Sequence, residues 1–187
     1  RLVYNHYKTD KESSIVHNNL KDMKDVLTYS LQYQKGAWVL HMLRNYIGED
    51  NFRKGIRNYY KKYYNSTTTT NQFKTEMEVV SGMNLDTFFD QWLYKGGNMV
   101  LDGNWKFDEK KGRIEVNLNQ VQNDGYLFEM PVELGISYND KNLEKIQTVK
   151  LEKEKGRFYI ASDSKPISIK IDPNTKLLAI WDFNEIK

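Results

Sequence analysis

The chain has 187 residues, of which 39% are hydrophobic and 13% aromatic, a composition that supports a folded core and excludes intrinsic disorder. Its 28 basic and 25 acidic residues leave a net charge of only +3, so neither nucleic acid nor a membrane surface is expected as a partner. The absence of cysteine excludes disulfides, thiolate metal sites and cysteine nucleophiles.

The start of the chain carries no targeting information. It opens with RLVYNHYKTD, which has neither an initiator methionine nor an apolar signal segment, and we therefore expect a piece of a longer protein. No apolar run approaches the roughly 20 residues that span a bilayer, so no membrane-spanning segment is expected. The sequence assigns neither a compartment nor an oligomeric state, and an exported parent is compatible with it.

Residues 1–96 show the apolar spacing of helices. Between 34 and 47 the spacing predicts a helix with the buried face Ala37, Leu40, Leu43 and Ile47. Gly48 ends it, and the next helix has the predicted buried stripe Phe52, Ile56, Tyr59, Tyr60 and Tyr63.

Two more helices are predicted before the pattern changes. Thr69 and Gln72 have the spacing of a capping box, which opens a helix that Gly82 closes. The fourth helix is expected to crowd its apolar residues onto one side, namely Leu85, Phe88, Phe89, Trp92 and Leu93. Gly96-Gly97 ends the helical half.

After Gly97 the apolar period becomes two, which is typical of strands. Strands are predicted at 113–121, where Ile114, Val116, Leu118 and Gln120 share a face, and at 128–138 and 166–172. Turn residues separate them at Asp124-Gly125, Asn139-Asp140, Lys155-Gly156 and Asp172-Pro173. The sequence thus predicts an α+β chain in two parts, a helical domain at 1–96 and an antiparallel β-sandwich at 97–187.

Two residue groups could bind metal or nucleic acid, and each is better explained by structure. His6, His17 and His41 lack the i, i+4 spacing of a helical zinc pair, so this chain alone is not expected to hold zinc. The run YYKKYY (59–64) mixes rings with cations, as in single-strand binding sites. Helical spacing instead predicts rings that face inward and lysines that face solvent.

Tyr33 is the one candidate for chemistry. By itself, a tyrosine at the start of an amphipathic helix is a core or rim residue. The succession of motifs adds to this: YQKGA (33–37) leads into VLHMLR, then IGEDNFRKGIRNYYKKY, TTTNQFKTEMEVVSG and LDTFFDQWLYKGG, followed by strands. This order resembles the aminopeptidase-N-like zinc aminopeptidases, the gluzincin family that includes leukotriene hydrolases. The resemblance is strong between Tyr33 and Gly97, weaker through the strands and thin before Leu20.

The resemblance implies the C-terminal part of a thermolysin-like catalytic domain followed by a β-sandwich, from a parent that removes N-terminal residues from peptides. It implies that Tyr33, in the Tyr-x-Lys-Gly position, stabilises the oxyanion of the tetrahedral intermediate, and that Lys35 and Gly36 are structural. Gly36 is expected to permit close approach at the start of the helix. Zinc is implied for the parent, with ligands that are not in this chain.

The sequence also departs from the family. The zinc-binding His-Glu-x-x-His, the later glutamate ligand and the Gly-x-Met-Glu-Asn segment, which precede the tyrosine in the family, do not occur here. Relatives carry a proline where this chain reads GGNMVL, and many continue with a helical domain where it ends in DFNEIK. The alternatives are a non-catalytic scaffold of the same fold and a free-standing peptide-binding domain, for which no residue pattern marks a groove.

Overall fold

The computed structural model describes residues 2–9, 12–17, 22, 27–138 and 144–186. The chain divides into two compact units, Arg1–Gly96 and Gly97–Lys187. The first is helical in its described part and the second is built of strands, so the α+β fold class is confirmed. Within the described ranges no helix is long and apolar enough to cross a bilayer.

The helices of the first unit follow one another closely. They are α1 (Leu2–Thr9), a π-helical turn (Tyr29–Lys35) that runs directly into α2 (Gly36–Ile47), α3 (Glu49–Lys62), α4 (Thr70–Ser81), α5 (Asp86–Phe89) and a second π-helical turn (Asp90–Tyr94). The predicted capping box opens α4, because Thr69 and Gln72 each accept a hydrogen bond from the other's backbone N–H. The predicted apolar side of the fourth helix is confirmed, and its five residues are all buried.

The stripe predicted for α3 is wrong in two places. Ile56 is 38% and Tyr60 65% exposed, so neither belongs to a buried stripe. Tyr64 is exposed as well, so the rings of Tyr60 and Tyr64 do not face inward as their spacing predicted. The contact face is instead centred on Gly55, which is buried against α4. A Cβ at Gly55 would lie 2.6 Å from Met77 Sδ. The absence of a side chain there lets the two helices approach, which rotates the stripe away from Ile56 and Tyr60.

Seven strands lie in the described part of the second unit. They are β1 (Met99–Asp108), β2 (Arg113–Gln120), β3 (Met130–Ser137), β4 (Glu144–Leu151), β5 (Lys155–Ala161), β6 (Ser168–Ile171) and β7 (Ala179–Glu185). They form one sheet in the order β5-β2-β1-β7 and a second in the order β4-β3-β6. Strands β2, β3 and β6 were predicted; the other four were not.

Most pairings are antiparallel, but β7 runs parallel to β1, which corrects the prediction of a wholly antiparallel sandwich. Each sheet buries one face. In β2 the alternate residues from Ile114 to Gln120 are buried, as their spacing predicted. At the predicted turn Asp172-Pro173, Asp172 has a positive φ of 49°. The predicted turn Asn139-Asp140 lies outside the described residues. The turn predicted at Lys155-Gly156 was wrong, since these residues begin β5.

A carboxylate on β3 makes the stability of the second unit depend on pH. Glu133 accepts hydrogen bonds from Lys176 Nζ at 2.6 Å and Asn174 Nδ2 at 2.8 Å. Burial raises the pKa of Glu133, but these two hydrogen bonds outweigh it and hold the pKa below its usual value. The carboxylate therefore ties the segment after β6 to the middle of the second sheet.

We expect Glu133→Gln to lower the free energy of unfolding at neutral pH, because the charge-assisted bond with Lys176 is lost. The loss should be only about 1 kcal/mol, because solvent reaches Lys176 and screens the pair. A carboxyl with a lowered folded pKa stabilises above its unfolded value, and that stability is lost as the pH falls through the folded pKa. The difference between wild type and variant in urea unfolding should therefore begin to shrink near the unfolded pKa, at about pH 4.3, and vanish once the pH is below the lowered folded pKa. A difference that persisted in acid would assign the effect to packing.

Candidate functional site

Tyr33 lies in the π-helical turn directly ahead of α2, and its side chain is 58% exposed. The turn is fixed from both sides. The backbone oxygen of Thr28 accepts hydrogen bonds from the N–H groups of Leu31 and Gln32, and the Gln32 side chain donates to the backbone oxygen of Ile15 at 3.1 Å. Wide turns of this kind within helices are frequent at functional sites.

The ring of Tyr33 borders a concavity of about 590 Å³ within the helical unit. Its walls come from the start of α2, from the threonine run and α4, and from the helix that contains Phe89. The lining is mostly apolar and aromatic, and none of the described residues that line it is charged: Gln32, Gly36, Ala37, Val39, Leu40, Leu43, Tyr59, Thr68, Thr69, Thr70, Phe73, Phe89 and Leu93. The Tyr33 hydroxyl is thus one of a few polar groups beside a largely apolar concavity, with those of Gln32, Tyr59 and the threonines.

The concavity explains why the predicted face of α2 is only half correct. Leu43 and Ile47 are buried as predicted, together with Val39 and Met42. Leu40 is 44% exposed, and it lines the concavity with Ala37. Because Tyr33, Ala37 and Leu40 recur at helical steps, they share one face, and that face forms the wall of a hollow.

The two residues after the candidate tyrosine behave differently. Lys35 is buried, with 1% of its surface exposed, which agrees with a structural part for this residue. The expectation that Gly36 permits close approach is wrong. A Cβ there would lie 3.8 Å from the backbone oxygen of Leu31, an ordinary contact, and its φ of −58° suits any residue.

Tyr29 offers an internal comparison for Tyr33. It lies one turn earlier, is 60% exposed, and its ring centroid is 5.7 Å from that of Tyr33. Tyr29 does not belong to the lining of the concavity. A neutral phenol is a hydrogen-bond donor that stays protonated at neutral pH. Of these two phenols, that of Tyr33 borders this concavity, where a substrate oxygen could receive the bond.

The structure does not bring the three histidines together as metal ligands. Among the described residues, which include His6, His17 and His41, no group of three or more histidine, cysteine or carboxylate side chains could hold a metal ion. The residues described here therefore do not fit a zinc ion.

Several lining residues were missed from the sequence. Phe89 was predicted only as part of the apolar side of the fourth helix, and of the threonine run (67–70) the sequence marked only Thr69, as part of a capping box. The Tyr59 hydroxyl hydrogen-bonds with Thr68, which holds this run against α3. The run of threonines next to the aromatic residues of α3 was the one local sequence pattern that could have indicated the edge of a concavity.

Comparison with known proteins identifies the helical unit. Residues 3–92 match the family described as the peptidase family M1 domain. The helical unit belongs to the M1 peptidase family. The chain is 31% identical over 142 residues to probable aminopeptidase 2 of Sulfurisphaera tokodaii. The alignment covers 76% of this chain and 17% of that protein. The predicted relationship to aminopeptidase-N-like enzymes is therefore confirmed.

Other M1 aminopeptidases match as well. Aminopeptidase M1-D of Oryza sativa subsp. japonica is 29% identical over 116 residues, covering 62% of this chain and 13% of that protein. Aminopeptidase N of Lactococcus lactis subsp. lactis is 26% identical over 104 residues, covering 55% of this chain and 12% of that protein. The chain thus spans less than a fifth of the length of these relatives.

A solved structure shows the same fold. It is the crystal structure of Legionella pneumophila aminopeptidase A in complex with aspartic acid, with a TM-score of 0.78 and 15% sequence identity. The match covers 92% of this chain and 20% of that one. At this identity the likeness extends to the fold of this M1 chain and carries no further argument about its chemistry.

Proposed function

We propose that this chain is the C-terminal part of an M1 zinc aminopeptidase, which hydrolyses N-terminal residues from peptides, and that Tyr33 is its catalytic residue in this segment. The position of Tyr33 carries the proposal. The phenol is more than half exposed, lies at the start of a helix and borders a concavity, and it occupies the tyrosine position of the Tyr-x-Lys-Gly motif.

Tyr33 would act on the oxygen of the scissile carbonyl. When water adds to a peptide carbonyl, negative charge develops on that oxygen, and a fixed donor stabilises it most where water is excluded. The lining beside the ring is mostly apolar, and a bound peptide would displace water from it. The hydroxyl of a tyrosine side chain carries the O–H that donates such a bond.

Zinc is proposed for the parent protein and not for the described residues of this chain, which do not fit it. A zinc ion held elsewhere in the parent would supply a Lewis acid for this hydrolysis. Its ligands would come from another part of the parent. The substrate would be a peptide with a free N-terminus, and the residue preference would be set largely by that other part.

The full-length protein should contain one zinc ion per chain and hydrolyse an aminoacyl 4-nitroanilide, and a chelator should abolish the hydrolysis. The 187-residue chain by itself should do neither. The checks are elemental analysis by mass spectrometry and release of nitroaniline at 405 nm. A full-length protein that folded but bound no zinc and cleaved no substrate would instead be a scaffold of this fold.

A further inference from the structure

A second concavity, of about 600 Å³, lies in the β unit between β4 and β5. Residues 145 and 147–150 of β4 line one side and residues 157–161 of β5 line the other. Both strands lie at the ends of their sheets, since among the described strands β4 pairs only with β3 and β5 only with β2. Two sheet edges, each with backbone groups available for pairing, thus flank the same hollow.

The floor of this hollow is apolar. Val149 of β4 lies opposite Val132, and Ile160 of β5 lies opposite Ile114, so both belong to the buried faces of their sheets. Val149 is 8% and Ile160 7% exposed, and Phe158 lies on the same face as Ile160. An entering side chain would therefore meet hydrocarbon at the bottom of the hollow.

The charged side chains that line the hollow are all cationic: Lys145, Lys150 and Arg157. Lys150 forms an ion pair with Glu152 in which both side chains are largely solvated, and such pairs are weak. Arg157 donates to the neutral Asn117 at 3.1 Å. Lysines on edge strands also prevent edge-to-edge aggregation. Protection against aggregation accounts for the cations, but it does not require the apolar residues at the bottom of the hollow.

We propose that this hollow binds an extended, acidic peptide segment, which adds to β4 as a further strand of its sheet. The edge of β4 would supply backbone hydrogen bonds, as in other cases of strand addition. Since side chains of a strand alternate in direction, every second one would lie on the apolar floor. Carboxylates on the other side chains of the segment would face Lys150, which lies on the opposite face of β4 from Val149. A second copy of β4 fits less well, because it would bring the same lysines together.

The test is a titration of the 187-residue chain against a fluorescently labelled eight-residue peptide that alternates valine and glutamate, followed by anisotropy. We expect saturable binding that weakens as salt rises, because the charges are solvent-exposed. The variant Lys145→Glu/Lys150→Glu/Arg157→Glu should lose roughly tenfold or more in affinity. A peptide with lysine in place of glutamate should not bind the wild type.

The matched control is Lys54→Glu/Lys61→Glu/Lys110→Glu, which makes the same change in net charge at exposed lysines that are not part of β4 or β5. It should bind like the wild type, and thermal unfolding should show that both variants fold. Amide exchange should slow along 144–151 when the peptide binds. The proposal is overturned if the wild type shows no saturable binding or if both triple variants bind equally. It is also overturned if a peptide N-methylated at alternate residues binds as well as the unmodified one, or if sedimentation shows self-association through β4.

Discussion

Replacing Tyr33 with phenylalanine in the full-length protein is expected to lower kcat by about 10²-fold or more, if the proposed aminopeptidase activity is its function. The change removes one oxygen atom and leaves the ring, so the wall of the concavity is kept. A preorganised donor aimed at developing negative charge contributes roughly 2.7–4 kcal/mol to a transition state, which corresponds to this loss. The measurement is steady-state turnover of an aminoacyl anilide.

The loss should appear in kcat and leave KM nearly unchanged, because the bond strengthens only as charge develops on the carbonyl oxygen. A rise in KM at constant kcat would mean that the phenol binds substrate without acting on the transition state. Turnover near that of the wild type would show that Tyr33 is a rim residue, the alternative that the sequence left open.

Tyr29→Phe is the matched control for this experiment. It removes the same atom from a ring of similar exposure in the same π-helical turn, 5.7 Å away between centroids. Because Tyr29 does not line the concavity, its variant should keep kcat within about twofold. Equal losses in both variants would point to a disturbed turn and not to a lost donor.

The sequence predicted helices well where apolar residues mark a single buried face, as in the segment from Leu85 to Leu93. It failed where an apolar face is not core. Ala37 and Leu40 have the spacing of a buried stripe, but they line a hollow beside Tyr33. Periodicity reports that residues share a face; it does not report what covers that face.

The candidate site was predictable only in its tyrosine. Its other walls come from α4 and from the helix of Phe89, which are distant in sequence, and their meeting depends on how the helices pack. The packing at Gly55, where a Cβ would lie 2.6 Å from Met77 Sδ, is one such detail of the contact between α3 and α4. In the β unit, strand β7 pairs parallel with β1 after about 70 intervening residues, a contact that no local pattern marks.

Gln120 is a buried polar residue whose side chain connects several segments of the β unit. Its side chain is 4% exposed at the end of β2, on the face that otherwise carries Ile114, Val116 and Leu118. The amide nitrogen donates to the backbone oxygens of Phe128 at 2.8 Å and Lys153 at 3.2 Å. The amide oxygen accepts from the backbone N–H of Phe128 at 2.9 Å. One side chain thus joins β2 to the segment before β3 and to the connection between β4 and β5.

We expect Gln120→Leu to lower the free energy of unfolding by roughly 2–4 kcal/mol. Leucine has a similar size and more hydrocarbon, but it returns none of these hydrogen bonds, and each buried polar group deprived of its partner costs about 1–3 kcal/mol. Urea unfolding followed by circular dichroism measures the change. Gln147→Leu is the control, because the bond from its amide to Thr148 is exposed, and its effect should stay within about 0.5 kcal/mol.

Gln120→Glu separates hydrogen bonding from packing, since it keeps the shape and replaces the amide nitrogen with oxygen. An ionised carboxylate would face the backbone oxygens of Phe128 and Lys153, so burial and repulsion should raise its pKa above that of the unfolded chain. The group then binds a proton more readily when folded, and the penalty should be present at neutral pH and diminish as the pH falls through the raised value. Protonated, the acid can donate one of the lost bonds. This gain of stability in acid is opposite in sign to the effect expected for Glu133, and a pH-independent penalty would mean that the amide contributes shape alone.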